Sequence, residues 1–340
     1  MSDAPRASTL ARLTENASQP GVTIPEPPPR ASLGFLYFPP YRVQGFSVAG
    51  EESFVQVPEL DVCFDVGRAA RPMLTSRYVA LTHGHMDHSA GIAYYFSQRQ
   101  FQGMGEGTIV CPAALAQPIR RLMEAWVDVE AQRTPHKIIG LEPDGEIEIK
   151  PHIFLRAFPV RHPVPALGYT VVEKRSKLRE EFLGLPQAKL VQLKSEGTPI
   201  TYELQVPLVA YTGDTAPGAF LERPDVAGAK ILIAECTFVE PGHQDKARIG
   251  KHLHVEDIAR LVPHTTGQVV LTHLSRRTHL GEVKNQLDLL IPPEHRARVH
   301  ILMDHRVNRA RYEQQVAAVQ TTQSTTASPG PQGKIESNRQ

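Results

Sequence analysis

The segment Thr82-His83-Gly84-His85-Met86-Asp87-His88 sets four candidate metal ligands within six residues, and nothing else in the 340 residues restricts the fold as tightly. It follows Tyr78-Val79-Ala80-Leu81, a short apolar run without helical periodicity that reads as a buried strand. His83 and His85 are two apart, so in an extended segment both side chains project to one side. A turn through Gly84 or Met86 brings Asp87 and His88 to the same cavity from beyond. Imidazole and carboxylate suit zinc, which binds such N and O donors at about 2.0–2.2 Å. A solvated His/Asp-rich loop is the bland alternative. It fits less well, because a strand precedes the segment and further ligands follow.

Those further ligands are His162, Asp214 and His273. His162 lies in the Pro-flanked turn Phe158-Pro159-Val160-Arg161-His162-Pro163-Val164-Pro165. Asp214 lies in Thr212-Gly213-Asp214-Thr215, where glycine permits a tight turn. Other apolar runs also end on polar residues: Leu208 to Tyr211 leads to Asp214, Ile231 to Ala234 to Glu235, and Val269 to Thr272 to His273. Between them, Ile119, Leu122, Met123, Trp126 and Val127 recur at helical spacing among charged residues, and Val255, Ile258, Ala259 and Val262 do the same. Strands alternating with helices predict an α/β layered fold, with reactive groups just past strand ends.

Composition adds bounds. Hydrophobic residues make up 41 % of the chain, enough for a sizeable core, and no apolar run approaches the ~20 residues of a membrane span. Residues 1–30 are Pro/Ser/Ala-rich and predict a disordered leader; residues 320–340 are Thr/Ser/Gln/Gly-rich and predict a disordered tail; 31–319 form one compact domain. The first 28 residues hold no secretory h-region, so a cytoplasmic protein is expected. Cys63, Cys111 and Cys236 are widely spaced and read as core residues. A formal charge of +1 neither advertises nor excludes a nucleic-acid partner.

The stretch His83 to His88 matches the HxHxDH motif of the metallo-β-lactamase superfamily, which the chain resembles over roughly residues 32 to 310. The resemblance implies a single-domain αβ/βα four-layer sandwich with its site at one edge. It also implies two zinc ions, one on His83, His85 and His162, the other on Asp87, His88 and His273, with Asp214 bridging. Manganese or iron suits the same ligands. Two such cations lower the pKa of a shared water toward neutrality and offset charge on a phosphoryl or carbonyl oxygen. Asp87 then both binds metal and orients the nucleophile.

Three segments resemble the tRNase Z family: Ala234-Glu235-Cys236-Thr237-Phe238, Lys251-His252-Leu253-His254 and Thr272-His273-Leu274-Ser275-Arg276-Arg277. Two more are His162 to Tyr169 and Phe182 to Pro186. Phe64-Asp65-Val66-Gly67 is similar too, with Asp65 supporting the histidine loop from behind. This implies a zinc-dependent phosphodiesterase that cleaves precursor tRNA at its 3′ side with a metal-bound hydroxide, in a homodimer, with no membrane partner. Glu235 would orient His252, and His252 would protonate the leaving oxygen. Glu235 as a plain structural carboxylate, and His254 in place of His252, both stay open, as does Arg277 as a surface charge or a phosphate contact. The chain departs from the pattern at Lys251, where a glycine is usual, and at Leu253. It also shows no Gly/Pro-rich basic arm. Lys174-Arg175-Ser176-Lys177-Leu178-Arg179, with Lys189 and Lys194, is either a phosphate-binding stretch or a solvated helix face. The alternatives are a hydrolase of a small phosphodiester or ester with the same metals, and a non-catalytic nucleic-acid-binding or scaffolding protein. The full ligand set argues against the latter, and a flavin-linked member would need more chain than the tail offers.

Overall fold

The computed structural model describes residues 24–29 and 32–326; most of the expected leader, and the tail beyond Thr326, lie outside the described residues. Two seven-stranded sheets form the centre. The first holds β1 (Gly34–Phe38), β2 (Tyr41–Val48), β3 (Glu52–Val57), β4 (Val62–Phe64), β5 (Tyr78–Ala80), β6 (Thr108–Pro112) and β7 (Lys137–Leu141). The second holds β8 (Glu146–Lys150), β9 (Ile153–Pro159), β10 (Leu167–Leu178), β11 (Thr201–Tyr211), β12 (Ile231–Glu235), β13 (Gln268–Thr272) and β14 (Val299–Ile301). Each sheet begins antiparallel and ends parallel, the change falling after β4 and after β11. The two halves of the chain thus build one sheet each.

Burial explains the layering. Alternate residues of β5, β6, β12 and β13 point to opposite faces. Ala80, Val110, Ile233 and Val270 join Leu36, Val55, Phe64, Leu155, Tyr169 and Val171 between the sheets. Val79, Leu81 and Ile109 face outward beneath helices 92–101 and 113–130, against Ile92, Phe96, Ile119 and Met123. Leu232, Val269 and Leu271 face outward beneath helices 255–261 and 280–290, against Ile258, Leu261, Val283 and Leu287. Parallel strands covered on both faces read as continuous apolar runs, as these do. Each fully buried Leu, Ile or Val contributes about 1.5–3 kcal/mol. The result is the four-layer αβ/βα sandwich the motif implied. Both predicted helices form, as Ala113–Glu130 and Val255–Leu261, although Leu122 and Trp126 of the first stay 43 % and 41 % exposed.

Three expectations change. Lys174 to Leu178 is not a helix face: it is the end of β10, which outruns β9 and pairs there with β11 alone, from Lys174↔Gln205 to Leu178↔Thr201. A hairpin therefore does project from the sandwich, carrying helix Gln187–Ser195, none of whose residues is buried. It lacks apolar alternation because neither of its faces is covered. The chain past Gln320 is also not all tail: helix His305–Thr326 runs through it. Extending a formed helix costs far less than starting one, so a polar Thr/Gln segment can continue it. Among the described residues no helix is long and apolar enough to cross a membrane.

Candidate metal centre

The loops following β5, β9, β11, β12 and β13 meet at one end of the sandwich and bring the expected ligands together. His83 follows β5, and Asp87 and His88 sit on the helical turn Met86–Ser89. His162 follows β9, Asp214 follows β11, and His273 directly follows β13. Local backbone makes these turns tight. Gly213 has φ +58°, and a Cβ there would meet the Thr82 side chain at 2.7 Å, so only glycine fits. His273 also lies in the left-handed region, at φ +56°, with its N–H donating to Ser47 Oγ at 2.9 Å.

Ligand atoms of His83, His85, His162 and Asp214 gather within 4.8 Å of one another, as do those of Asp87, His88 and His273. Asp214 Oδ2 lies 3.4 Å from both His88 Nε2 and His273 Nε2, and 3.8 Å from His83 Nε2, between the two groups. The protons can be placed by following the outer hydrogen bonds. Thr82 Oγ1 donates to Asp65, so it must accept from His83 Nδ1, 3.0 Å away. His88 Nδ1 donates to Asp65 Oδ2 at 2.8 Å. His162 Nδ1 donates to the Lys251 carbonyl at 3.3 Å. Thr237 Oγ1 donates to Glu235 Oε2 at 2.6 Å and so accepts from His273 Nδ1 at 2.9 Å. In their neutral forms four imidazoles therefore aim Nε2 lone pairs at one cavity. His88 Nε2 and His273 Nε2 stand 3.3 Å apart, and His85 Nδ1 stands 3.1 Å from His83 Nε2 and 3.2 Å from His162 Nε2.

Lone pairs facing at this range repel unless a cation lies among them. Burial, then the neighbouring His88 imidazole, outweigh Asp214 and push His83 down to about 2, so a proton does not serve there. At His88, Asp214 and Asp65 outweigh burial and raise the imidazole well above its usual value, so a divalent cation on the Asp87, His88 and His273 group would have to displace a proton. Asp214 Oδ1 is buried with no hydrogen-bond partner, an acceptor left for something positive. The donors are nitrogen and oxygen with no thiolate, a set that fits zinc, manganese or iron(II). The residues present fit two divalent cations.

Beside the cluster lies a second arrangement. Glu235, fully buried at the end of β12, accepts from Thr215 N–H at 2.7 Å and holds His252 Nδ1 at 3.0 Å. The His252 ring stacks on His273, with centroids 5.6 Å apart. Burial opposes charging His252, yet the Glu235 carboxylate outweighs it and lifts the imidazole to about 9. Cations in the cluster would pull that value back. His254 is the other member of the pair left open by the sequence, and it does not face the cluster. It caps helix Val255–Leu261, accepting from Glu256 N, and its Nε2 meets the Glu240 carbonyl at 3.1 Å.

Sequence reasoning missed some participants. Thr237 joins Glu235, His252 and His273 through one hydroxyl, and it sits inside a segment already singled out. Tyr211 donates to Asp65 at 3.1 Å, and Ser47 comes from β2, more than two hundred residues from His273 in the chain; neither carries a motif. Asp65 itself is fully buried and accepts from Thr82 N–H at 2.7 Å, behind the histidine loop as expected. Arg277 is exposed on the loop after His273. The basic stretch from Lys174 is at the far end of the sheet: β10 starts beside Thr82 and runs away, so Leu178 is roughly 36 Å along the strand from Leu167 at about 3.3 Å per residue. There Lys174 is paired with Glu146, and Arg175 with Glu173.

Several known proteins are similar to this chain. The family model described as "Beta-lactamase superfamily domain" matches residues 63–274. The tRNase Z TRZ1 of Arabidopsis thaliana is 29 % identical over 257 residues, covering 74 % of this chain and 92 % of that protein. The chloroplastic tRNase Z TRZ2 of the same plant is 30 % identical over 250 residues, covering 72 % and 70 %. The crystal structure of the metallo-β-lactamase fold protein YhfI from Bacillus subtilis superposes with a TM-score of 0.52 at 17 % identity, over 79 % of this chain and 95 % of that one, a likeness of fold. With the ligand cluster, these matches place the chain in the β-lactamase superfamily, among the tRNase Z proteins, as a metal-dependent hydrolase.

Proposed function

We propose that the chain is a zinc-dependent phosphodiesterase that removes the 3′ trailer of precursor tRNA. The observation that carries this reading is the Glu235–His252 pair beside the double ligand cluster, 3.0 Å between Oε1 and Nδ1. His83, His85 and His162 would hold one cation, Asp87, His88 and His273 the other, and Asp214 both. Such a pair supplies a nucleophile at neutral pH and offsets charge on the phosphoryl oxygens. The protein supplies the rest. Asp87 Oδ2 is steadied by Gly50 N–H at 2.9 Å and stands 3.4 Å from His273 Nε2, and from there the carboxylate would orient an attacking oxygen. Glu235 fixes His252 through Nδ1 and favours its protonated form, leaving Nε2 to give a proton to the departing 3′-oxygen. The names of the Arabidopsis relatives support tRNA as substrate.

A hydrolase of small phosphodiesters is the second reading, favoured by one observation: the Lys174–Lys194 stretch stands at the end of the sheet away from the cluster. The two separate in one assay. Wild-type protein and His85→Ala are given a precursor tRNA with a 3′ trailer and, in parallel, bis(p-nitrophenyl) phosphate. Metal-dependent cleavage after the discriminator base, absent in the variant, is expected. Hydrolysis of the small diester alone would hand the site to the second reading.

A further inference from the structure

An RNA substrate needs cations at the site itself, and the basic hairpin of this chain points off the opposite end of its sheet. Two cations do stand at the rim. Arg161 directly precedes His162, and its stem lies over Gly218, 3.4 Å from where a Cβ would be, on the loop that leaves Asp214. Its backbone is anchored, N–H to Thr215 Oγ1 at 3.0 Å, which leaves the exposed guanidinium to reach outward. Lys251 approaches His162 from the other side. Its carbonyl accepts from His162 Nδ1, and its ammonium donates back to the His162 carbonyl at 3.3 Å. Among the described residues neither cation faces a carboxylate, whereas Arg276, at the same end, is tied to Glu51 at 2.8 Å.

Lys251 also occupies a backbone conformation that resists it. Its φ is +55°, the left-handed region where a Cβ is crowded and glycine is favoured. The carbonyl that orients His162 would be available from a glycine as well, so the lysine adds only its side chain. That side chain sets a positive charge at the His162 carbonyl, on the rim of the cluster. We propose that Arg161 and Lys251 form a phosphate grip that straddles His162 and takes the backbone phosphates next to the scissile one. This inference rests on the RNA reading of the site. It assigns local recognition of the substrate to the loops after β9 and before helix Val255–Leu261, not to the hairpin.

The test measures steady-state cleavage of precursor tRNA against salt concentration for wild type, Arg161→Met, Lys251→Met, the double variant and Lys251→Arg. Methionine keeps the stem length and the backbone demand of Lys251, so the variant loses the charge and the ammonium's bond to the His162 carbonyl, and Lys251→Arg restores the charge. Each single variant should raise KM several-fold, more than it alters kcat. Each should lower the slope of log(kcat/KM) against log[salt] by about one, and the double variant by about two. Lys251→Arg should restore the slope, and metal content should match wild type throughout. Lys246→Met, on an exposed face of helix Gln244–Gly250, serves as the control for net charge. Unchanged KM and slope in the rim variants, or an equal fall in the control, would overturn the grip while leaving the tRNA reading standing. A wild type that does not cut precursor tRNA at all takes down that reading, and the grip with it.

Discussion

Replacing Asp65 by Asn should weaken metal binding without unfolding the protein. The backbone tolerates the change, since Asp65 sits at φ +59° and asparagine enters that region readily. The side chain does not. Asp65 accepts from Thr82 N–H at 2.7 Å, Thr82 Oγ1 at 2.9 Å, His88 Nδ1 at 2.8 Å and Tyr211 OH at 3.1 Å. An amide has one acceptor oxygen, and the buried Thr82 N–H claims it. The NH2 group then faces His88 Nδ1. If His88 keeps its proton there, two buried donors collide, at a cost of about 1–3 kcal/mol. If the ring changes tautomer, Nε2 carries the proton toward Asp214 and His273 and loses its lone pair to the cluster. Both routes arrive at the magnitude usual for partners of metal ligands, a 10–100-fold loss of affinity or about 1.4–2.7 kcal/mol. The loss should fall chiefly on the cation held by Asp87, His88 and His273. A competition titration of zinc against a chromophoric chelator reads the two equivalents, and a thermal melt confirms folding. Two equivalents bound within twofold of wild type would refute the tautomer argument.

Three other outcomes follow from the same geometry. His252→Ala should keep its metal by elemental analysis and slow turnover by roughly 10²–10⁴-fold; a near-wild-type rate would remove the proton-donor role. Gly213→Ala sets a Cβ 2.7 Å from the Thr82 side chain at a positive φ, so urea unfolding should show a loss of about 1–3 kcal/mol, with metal affinity falling alongside. His300, donating to Gln268 Oε1 at 2.8 Å, is held down at about 3 by burial and then by Arg311 and Arg296. Its folded value lies below the unfolded value of about 6.5, so stability is full above pH 6.5 and falls as pH drops toward 3, by up to about 1.4 kcal/mol per unit. Between pH 7 and 5.5 wild type should lose about 1 kcal/mol more than His300→Gln, and equal losses would show that His300 is free to protonate in the fold.

Much of the fold and site is legible in the chain because both depend on local pattern. Buried parallel strands must be apolar on both faces, so Tyr78 to Leu81, Ile231 to Ala234 and Val269 to Thr272 announce themselves. The residues that end them are then conspicuous. What stayed hidden depends on partners distant in sequence or on the absence of burial. Neighbouring residues cannot reveal that His254 caps a helix while His252 turns to Glu235, because two residues apart in an irregular loop have no fixed relation. Ser47 and Tyr211 act through single hydrogen bonds across the sandwich. The hairpin at Lys174 has no covered face, and its charged run gave neither a strand nor a helix period to read.

The division of ligands between the two sheets has a mechanical meaning. His83, His85, Asp87 and His88 come from the half of the chain that builds the first sheet; His162, Asp214 and His273 come from the half that builds the second. Each proposed cation takes donors from both, so each acts as a rivet through the seam between the halves. Ions bound at a hundred times their dissociation constant would add about 2.7 kcal/mol per site to the native state, all of it resisting separation along that seam. Stripping the metal should therefore loosen the docking of the two halves before it melts either one, and the core residues between the sheets should exchange their amide protons first.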